Sequence, residues 1–359
     1  MRKCEVAVMK LKFNKTTRKN FLTYGLVILA YVALQLMRGS ISSSLKGMLV
    51  PICAYVVMAI SLNLTVGVLG ELSLGHAGFM SVGAFTGVTA VIALQNVIPA
   101  APLRLAVGLA VGAIFAGIAG FLIGIPVLRL NGDYLAIVTL AFGEIIKSVF
   151  NNLYVGIDEN GMQFSLLSDK TNLAEGGKLI IEGPMGIGGI QKISTFTAGF
   201  ILIMITLIVI FNLVNSRSGR AIMALRDNRI AAESVGIPVT KYKMMAFVTS
   251  AALAGAAGAL FSLGQNTIIA SKFDFNTSIL ILVFVVLGGQ GRMWGSIIAA
   301  AALTVLPEML REFADYRMLI YAIVLIVVML FTNSAGAKQF ISKVKSIFMR
   351  DIEGGEQNG

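Results

Sequence analysis

Apolar runs recur along this chain at 21–37, 47–64, 72–94, 103–125, 133–153, 194–214, 244–263, 277–290, 294–310 and 318–332. Most last about 17 to 23 residues, the length at which a helix crosses a hydrocarbon layer roughly 30 Å thick. They lack the alternation, about ten residues long, of a membrane barrel strand. Composition agrees: 57% of the 359 residues are hydrophobic, 13% are charged, and the mean hydropathy is +0.84. A soluble domain is about a quarter charged. The expected fold is therefore all-α, a polytopic integral membrane helical bundle of about ten transmembrane helices.

The intervals between runs are sorted by charge. Residues 1–20 carry seven Lys or Arg (Arg2, Lys3, Lys10, Lys12, Lys15, Arg18, Lys19) against Glu5. Positive loops stay on the cytoplasmic side, which makes this a cytoplasmic tail. A cleavable signal peptide is the alternative, with small residues at Ser40-Ile41-Ser42, and it leaves the remaining topology unchanged. Threading ten spans from an inside N-terminus places 154–193 outside, with Asp158, Glu159, Asp169, Glu175 and Glu182 against Lys170, Lys178 and Lys192. It places 215–243 inside, with Arg217, Arg220, Arg226, Arg229, Lys241 and Lys243 against Asp227 and Glu233. The transmembrane domain is thus 21–337, and 338–359 forms a second cytoplasmic tail whose end, 353–359, reads as disordered. The run at 277–290 and its neighbour, joined by Gly288-Gly289-Gln290-Gly291-Arg292-Met293, form either two spans or a re-entrant or kinked pair.

The formal charge of +11 is concentrated in these loops, so it encodes orientation and gives no reason to expect a nucleic-acid partner. The two cysteines, Cys4 and Cys53, have neither disulfide nor metal-ligand spacing, and with His76 the only histidine no metal site is expected.

Three segments carry polar residues where apolar ones are the rule. The first, at 66–79, holds Glu71, Ser73, Gly75, His76 and Gly78 at the entry to the third run. Irregular backbone at membrane depth either lines a wet cavity or is buried in protein, so the segment borders a translocation pathway or packs helices closely through its glycines. His76 is read as a packing or hydrogen-bonding residue, with a proton relay as the alternative. The second, at 130–147, begins at Asn131-Gly132-Asp133 and contains Thr139, Glu144 and Lys147. Asp133 is expected to cap a helix. Glu144 falls about 16 Å further along the axis, where an unpaired carboxylate costs about 2.5 to 3.5 kcal/mol. Lys147 shares its face, so the pair is either a structural ion pair or a substrate contact.

The third segment is the inner loop 215–243. Residues 221–235 lack Gly and Pro and are rich in Ala, Arg, Met and Leu, which predicts one short helix stopped by Gly236 and Pro238. Ile222, Leu225, Arg229 and Ala232 share one face; Arg226, Ile230 and Glu233 form the next. Such a helix lies on anionic lipid or fits a groove on a soluble partner. No phosphate-binding loop is present, since Gly176-Gly177-Lys178 is followed by Leu179, and neither a His-Glu-x-x-His helix nor a Gly-x-Ser-x-Gly elbow occurs. Any energy source is expected to lie outside this chain.

Together these segments resemble the membrane permease subunits of bacterial ABC importers, closest to the branched-chain amino acid permease family. The likeness rests on Gly132-Asp133-Tyr134-Leu135-Ala136-Ile137-Val138-Thr139-Leu140 with Phe142-Gly143-Glu144, and on Ser218-Gly219-Arg220 through Ile230-Ala231-Ala232 to Gly236-Ile237. Val286-Leu287-Gly288-Gly289-Gln290-Gly291 running to Leu306-Pro307-Glu308, and Ser73-Leu74-Gly75-His76-Ala77, extend it over nearly all the chain after residue 45. The resemblance implies a coupling loop at 226–236, with Arg226, Arg229, Ile230, Ala231, Ala232, Glu233 and Gly236 meeting an ATPase. It implies two ATPase subunits that bind the ATP, a second homologous permease subunit, an external or periplasmic solute-binding protein, and no cofactor in this chain. It also implies the bacterial inner membrane and alternating access. The outer segment departs from the family's Gly-Gly-Pro-Asn-Gly-Ile: here it reads Glu182-Gly183-Pro184-Met185-Gly186-Ile187, after an insertion at 158–178. That leaves nucleosides, ribose-like sugars and urea as alternative solutes. The rival class is an ion-coupled secondary transporter using Glu71, Glu144 and Lys147; an intramembrane enzyme would need a nucleophile and base that the motifs do not supply.

Overall fold

The computed structural model describes residues 15–37, 39, 42–95, 97–130, 132–158, 161–166 and 178–310, with 319, 320, 322, 323 and 326. Most of the run at 318–332, most of the basic N-terminal tail and all of 338–359 lie outside the described residues. The helices are α1 (Lys15–Met37), α2 (Ser43–Asn63, extended by a π-helical turn at Leu64–Leu69), α3 (His76–Ala93), α4 (Ala101–Val127) and α5 (Asp133–Asn151). There follow α6 (Phe196–Asn215), α7 (Arg217–Asp227), α8 (Arg229–Ser234), α9 (Val239–Ser262), α10 (Phe275–Gly288) and α11 (Met293–Met309). All nine apolar runs up to residue 310 coincide with helices, and six of these are long and apolar enough to cross a membrane. A count of ten spans is therefore not established.

Capping side chains set several boundaries. Thr195 Oγ1 accepts from Ala198 N at 3.2 Å to open α6, Ser216 Oγ accepts from Gly219 N at 3.1 Å to open α7, and Asp274 Oδ1 accepts from Thr277 N at 2.9 Å to open α10. Each satisfies an amide that the first turn leaves free. Asp133 does not cap α5: the capping position is Gly132, at φ 60°, and Asp133 sits in the first turn, where its charge meets the helix dipole.

α2 is the central element. In its most apolar stretch 89% of residues are buried, against 28% for α4, whose outer face presents Ile114, Phe115, Ile118, Phe121, Leu122 and Ile125. An apolar face of that length suits hydrocarbon and not water. α3, α4 and α9 interlock through small residues: a Cβ on Gly83 would lie 2.0 Å from the Gly255 carbonyl oxygen, and one on Gly255 would lie 2.4 Å from that of Gly112. Where lipid is as apolar as leucine, such close backbone approach supplies the dispersion contact that holds helices together.

The connection between α2 and α3 interrupts the bundle at depth. After the π turn the chain leaves helical geometry from residue 70 to 75, and α3 begins only at His76, later than the apolar run at 72–94 implies. Its Nε2 lies 2.8 Å from Ser61 Oγ, and Ser61 is about 12 Å below the end of the π turn, so α3 starts within the bundle. α10 has 14 residues, about 21 Å, and reaches the length of a span only with the 3-10 turn at Ala270–Lys272 that precedes it. Its first turns meet those of α3, Ala77 N donating to Ser278 Oγ at 3.2 Å. The 277–290 pair is thus a helix of span length, counted from Ala270, followed by the shorter α11.

The interval 154–193, expected only as an acidic loop, contains a three-stranded antiparallel sheet in the order β2-β1-β3, with β1 Leu153–Asp158, β2 Gly161–Leu166 and β3 Lys178–Glu182. Val155 pairs with Phe164 on one side and Ile181 on the other. A two-way backbone bridge, Ile187 N to Ile268 O at 2.9 Å and Ile268 N to Ile187 O at 3.0 Å, ties this region to the α9–α10 connection.

Candidate functional site

The polar segments gather at two places. At the end opposite the sheet, the single helix expected over 221–235 is two. Asn228 adopts φ −156° and ψ 104°, and its Oδ1 accepts from Ala231 N at 3.0 Å, restarting the chain as α8. A side chain that caps outcompetes the helix interior, which is why Asn divides a stretch otherwise rich in helix formers. Ile222, Leu225 and Ala232 are buried, as their shared face requires, and Ala232 is therefore turned into the chain's own body. Arg226, Arg229, Ile230, Ala231, Glu233 and Gly236 are exposed. Arg229 Nε pairs with Glu233 Oε1 at 3.1 Å, and Gly236, at φ +83°, ends α8 with Ile237 N returning to Ala232 O at 3.1 Å.

Arg226 joins this pair of helices to the interrupted span. Its Nη1 donates to the Gly67 carbonyl at 2.9 Å, an oxygen in the π turn, while Nε and Nη2 donate to Asp227 Oδ1 at 3.2 and 3.0 Å. Its stem lies across Gly70: a Cβ there would sit 2.5 Å from Arg226 Cγ, on a residue already at φ +81°. Gly67 is as confined, since a Cβ would meet Asn63 Oδ1 at 1.9 Å and Gly291 N at 2.2 Å. Asn63 accepts from Gly291 N and donates to Ser296 Oγ, both at 2.8 Å, so α2, α7 and the α10–α11 turn converge on one polar knot. Beside it Glu71 and Lys243 form a buried ion pair, 13% and 4% exposed. Lys243, Asn63 and Ser296 were not among the sequence-derived site residues. A lone Asn inside an apolar run was the available signal for one of them.

The second place is the start of α3. A Cβ on Gly75 would lie 2.1 Å from the Thr139 carbonyl oxygen, and one on Gly78 would lie 2.9 Å from Gly143 Cα. Thr139 Oγ1 accepts from Leu74 N at 3.0 Å and donates to Ala136 O at 2.9 Å, so α5 satisfies backbone that the break leaves free. His76 is buried against Ser61, whose carbonyl accepts from Ser250 Oγ at 2.6 Å. Ser73 Oγ is buried without a hydrogen-bond partner among the described residues. Gly75 and Gly78 thus serve close packing, whereas Glu144 is partly exposed. It pairs with Lys147 on the same helix, both partly exposed, beside a shallow surface dip that Asp274 and Ser278 also line.

A break at depth before α3, helix starts that meet inside the bundle and a helical pair bonded to that break define a polytopic α-helical membrane protein of the transport type. A sequence profile described as "Branched-chain amino acid transport system / permease component" matches residues 44–331, and the chain belongs to this family. It is 35% identical over 324 residues to the high-affinity branched-chain amino acid transport system permease protein LivM of Salmonella typhimurium, covering 87% of this chain and 73% of the relative. LivM of Escherichia coli matches with the same identity and coverage. The fructose import permease protein FruG of Bifidobacterium longum is 23% identical over 258 residues, 69% of this chain and 72% of the relative. No solved structure matches the chain.

Proposed function

We propose that the chain is the membrane-spanning subunit of an ATP-driven importer that carries branched-chain amino acids inward. In this reading it has no ATPase site or cofactor of its own, and works with two ATPase subunits, a second homologous permease and an external binding protein. It lies in the bacterial inner membrane with 1–20 and 338–359 in the cytoplasm, and the sheet faces outward. The relationship to LivM, against the lower identity to FruG, favours an amino acid over a sugar as solute.

The observation that carries the reading is α8. Ile230, on this helix of six residues, and Val235, at its C-terminal cap, are 80% and 75% exposed, flanked by the Arg229–Glu233 pair and Arg226. Two large apolar side chains ringed by charge favour a protein groove over water. Through Arg226 the same helices reach the Gly67 carbonyl, so a partner that displaces α8 pulls on the break before α3. Glu71, a candidate coupling group for an ion-driven carrier, is neutralised by Lys243, which weighs against that class.

The test is uptake of labelled leucine into vesicles containing the purified transporter, with ATP supplied on the α7–α8 side. Gly236→Trp places a side chain where φ is +83° and no atom lies within 4 Å of the new Cβ, so the strain is confined to the turn. ATP-dependent uptake should fall more than tenfold while membrane insertion is unchanged. Uptake that persists without any ATPase subunit refutes the reading, and protease cleavage at α8 from outside sealed cells refutes the orientation.

A further inference from the structure

At the sheet end, α3, α4, β3 and the turn at 188–191 border an open cleft whose enclosed part is about 40 Å³. One wall is aliphatic, formed by Val91, Ile92, Leu179 and Ile190; the rest is polar, with Gln95, Gln191 and the backbone of Gly188 and Gly189, and one charged side chain, Arg104, reaches into it. Arg104 is 8% exposed, yet among the described residues its guanidinium makes a single long contact, Nη2 to Gln191 Oε1 at 3.5 Å, and its Nε is buried without a partner. No carboxylate pairs with it among the described residues. A guanidinium has five N–H donors in a rigid fork suited to a carboxylate, and burying that charge unpaired is costly. Nor does the helix account for it: Arg104 lies in the first turn of α4, where the dipole disfavours a cation. The partner that completes such a site is an anion. The side chains around it are those that would receive an aliphatic chain.

We infer that this cleft is an outward-facing binding site for an aliphatic α-amino acid, with Arg104 holding the α-carboxylate and the Val91, Ile92, Leu179 and Ile190 wall receiving the side chain. The solute class rests on the function proposed above; the demand for a carboxylate rests on Arg104. A carboxylate on a docked binding protein is the competing occupant. Burial favours the small solute, which can enter a recess where Arg104 is 92% covered, while a protein side chain must be threaded into it.

The experiment measures equilibrium binding of tritiated L-leucine to the assembled transporter in lipid nanodiscs, without binding protein. Unlabelled leucine should displace the label, and leucinol, which lacks the carboxylate, should do so at least tenfold less well. This comparison needs no variant. In Arg104→Gln leucine affinity should drop at least tenfold, and Arg104→Lys, with charge but no fork, should fall between. Equal competition by leucinol, or absence of saturable binding to a transporter that still takes up leucine with its binding protein, overturns the site and leaves the function standing. Loss of binding-protein association in Arg104→Gln with leucine affinity unchanged also overturns it, in favour of the protein carboxylate. A wild-type transporter that takes up no aliphatic amino acid overturns the function and the ligand together.

Discussion

The two ends of the bundle treat charge differently. At the α7–α8 end charge is answered within the chain: the buried Lys243 by Glu71, and the exposed Arg226 by the Gly67 carbonyl and Asp227. At the sheet end Arg104 is as deeply buried and is answered by one distant amide oxygen. Neutralised groups fix geometry. A group left wanting a partner marks where something from outside is received. On the function and the site proposed above, one end would transmit displacement and the other would admit a ligand.

The largest expected effect is at Gly67. Gly67→Val drives a side chain into Asn63 and the backbone of Gly291 at once, and neither is the free end of a flexible chain, so assembly should fail, read as loss of monodisperse protein in detergent chromatography. Next comes the buried pair. Lys243→Met leaves Glu71 with an uncompensated charge and should cost about 3 to 5 kcal/mol, seen as a lowered thermal unfolding midpoint. Adding Glu71→Gln should restore most of it; a double variant no better than Lys243→Met would show that the pair does not act as one unit. Arg226→Gln should spare folding and reduce ATP-driven uptake about tenfold, equivalent to roughly 1.4 kcal/mol, because it removes the bond to the interrupted span. Unchanged uptake would dissociate α7 from the break. The smallest effect belongs to Arg229→Ala, whose pair with Glu233 is 41% and 47% exposed; its stability should shift by less than about 1 kcal/mol, and more than that would mean the surface pair is part of a larger network.

Much of this was legible in one dimension. Aliphatic runs at membrane length give helices because a backbone in lipid must satisfy its own hydrogen bonds, and that holds whatever the neighbours are. Gly236 with Pro238 ended α8 as expected, since positive φ and a missing N–H act locally. The Asn228 break was not visible, because an Asn caps or sits in a helix according to the direction the chain takes next. The sheet was missed because Leu153–Asp158 is too short to announce itself without its partners on either side. Glu71 read as a pathway group because Lys243 is 172 residues away. Arg104 drew no notice at all: an Arg near the end of an apolar run looks like an interfacial anchor until its burial is known.

What the sequence settled alone was the medium and the elements, since hydropathy and local propensity are properties of a residue and its near neighbours. Which polar residues would meet was decided only by folding. Asn63 reaching Gly291, Lys243 reaching Glu71 and Arg104 reaching no carboxylate among the described residues depend on how helices distant in the chain come side by side, and pair energies fall off over a few ångströms in space, not along the sequence.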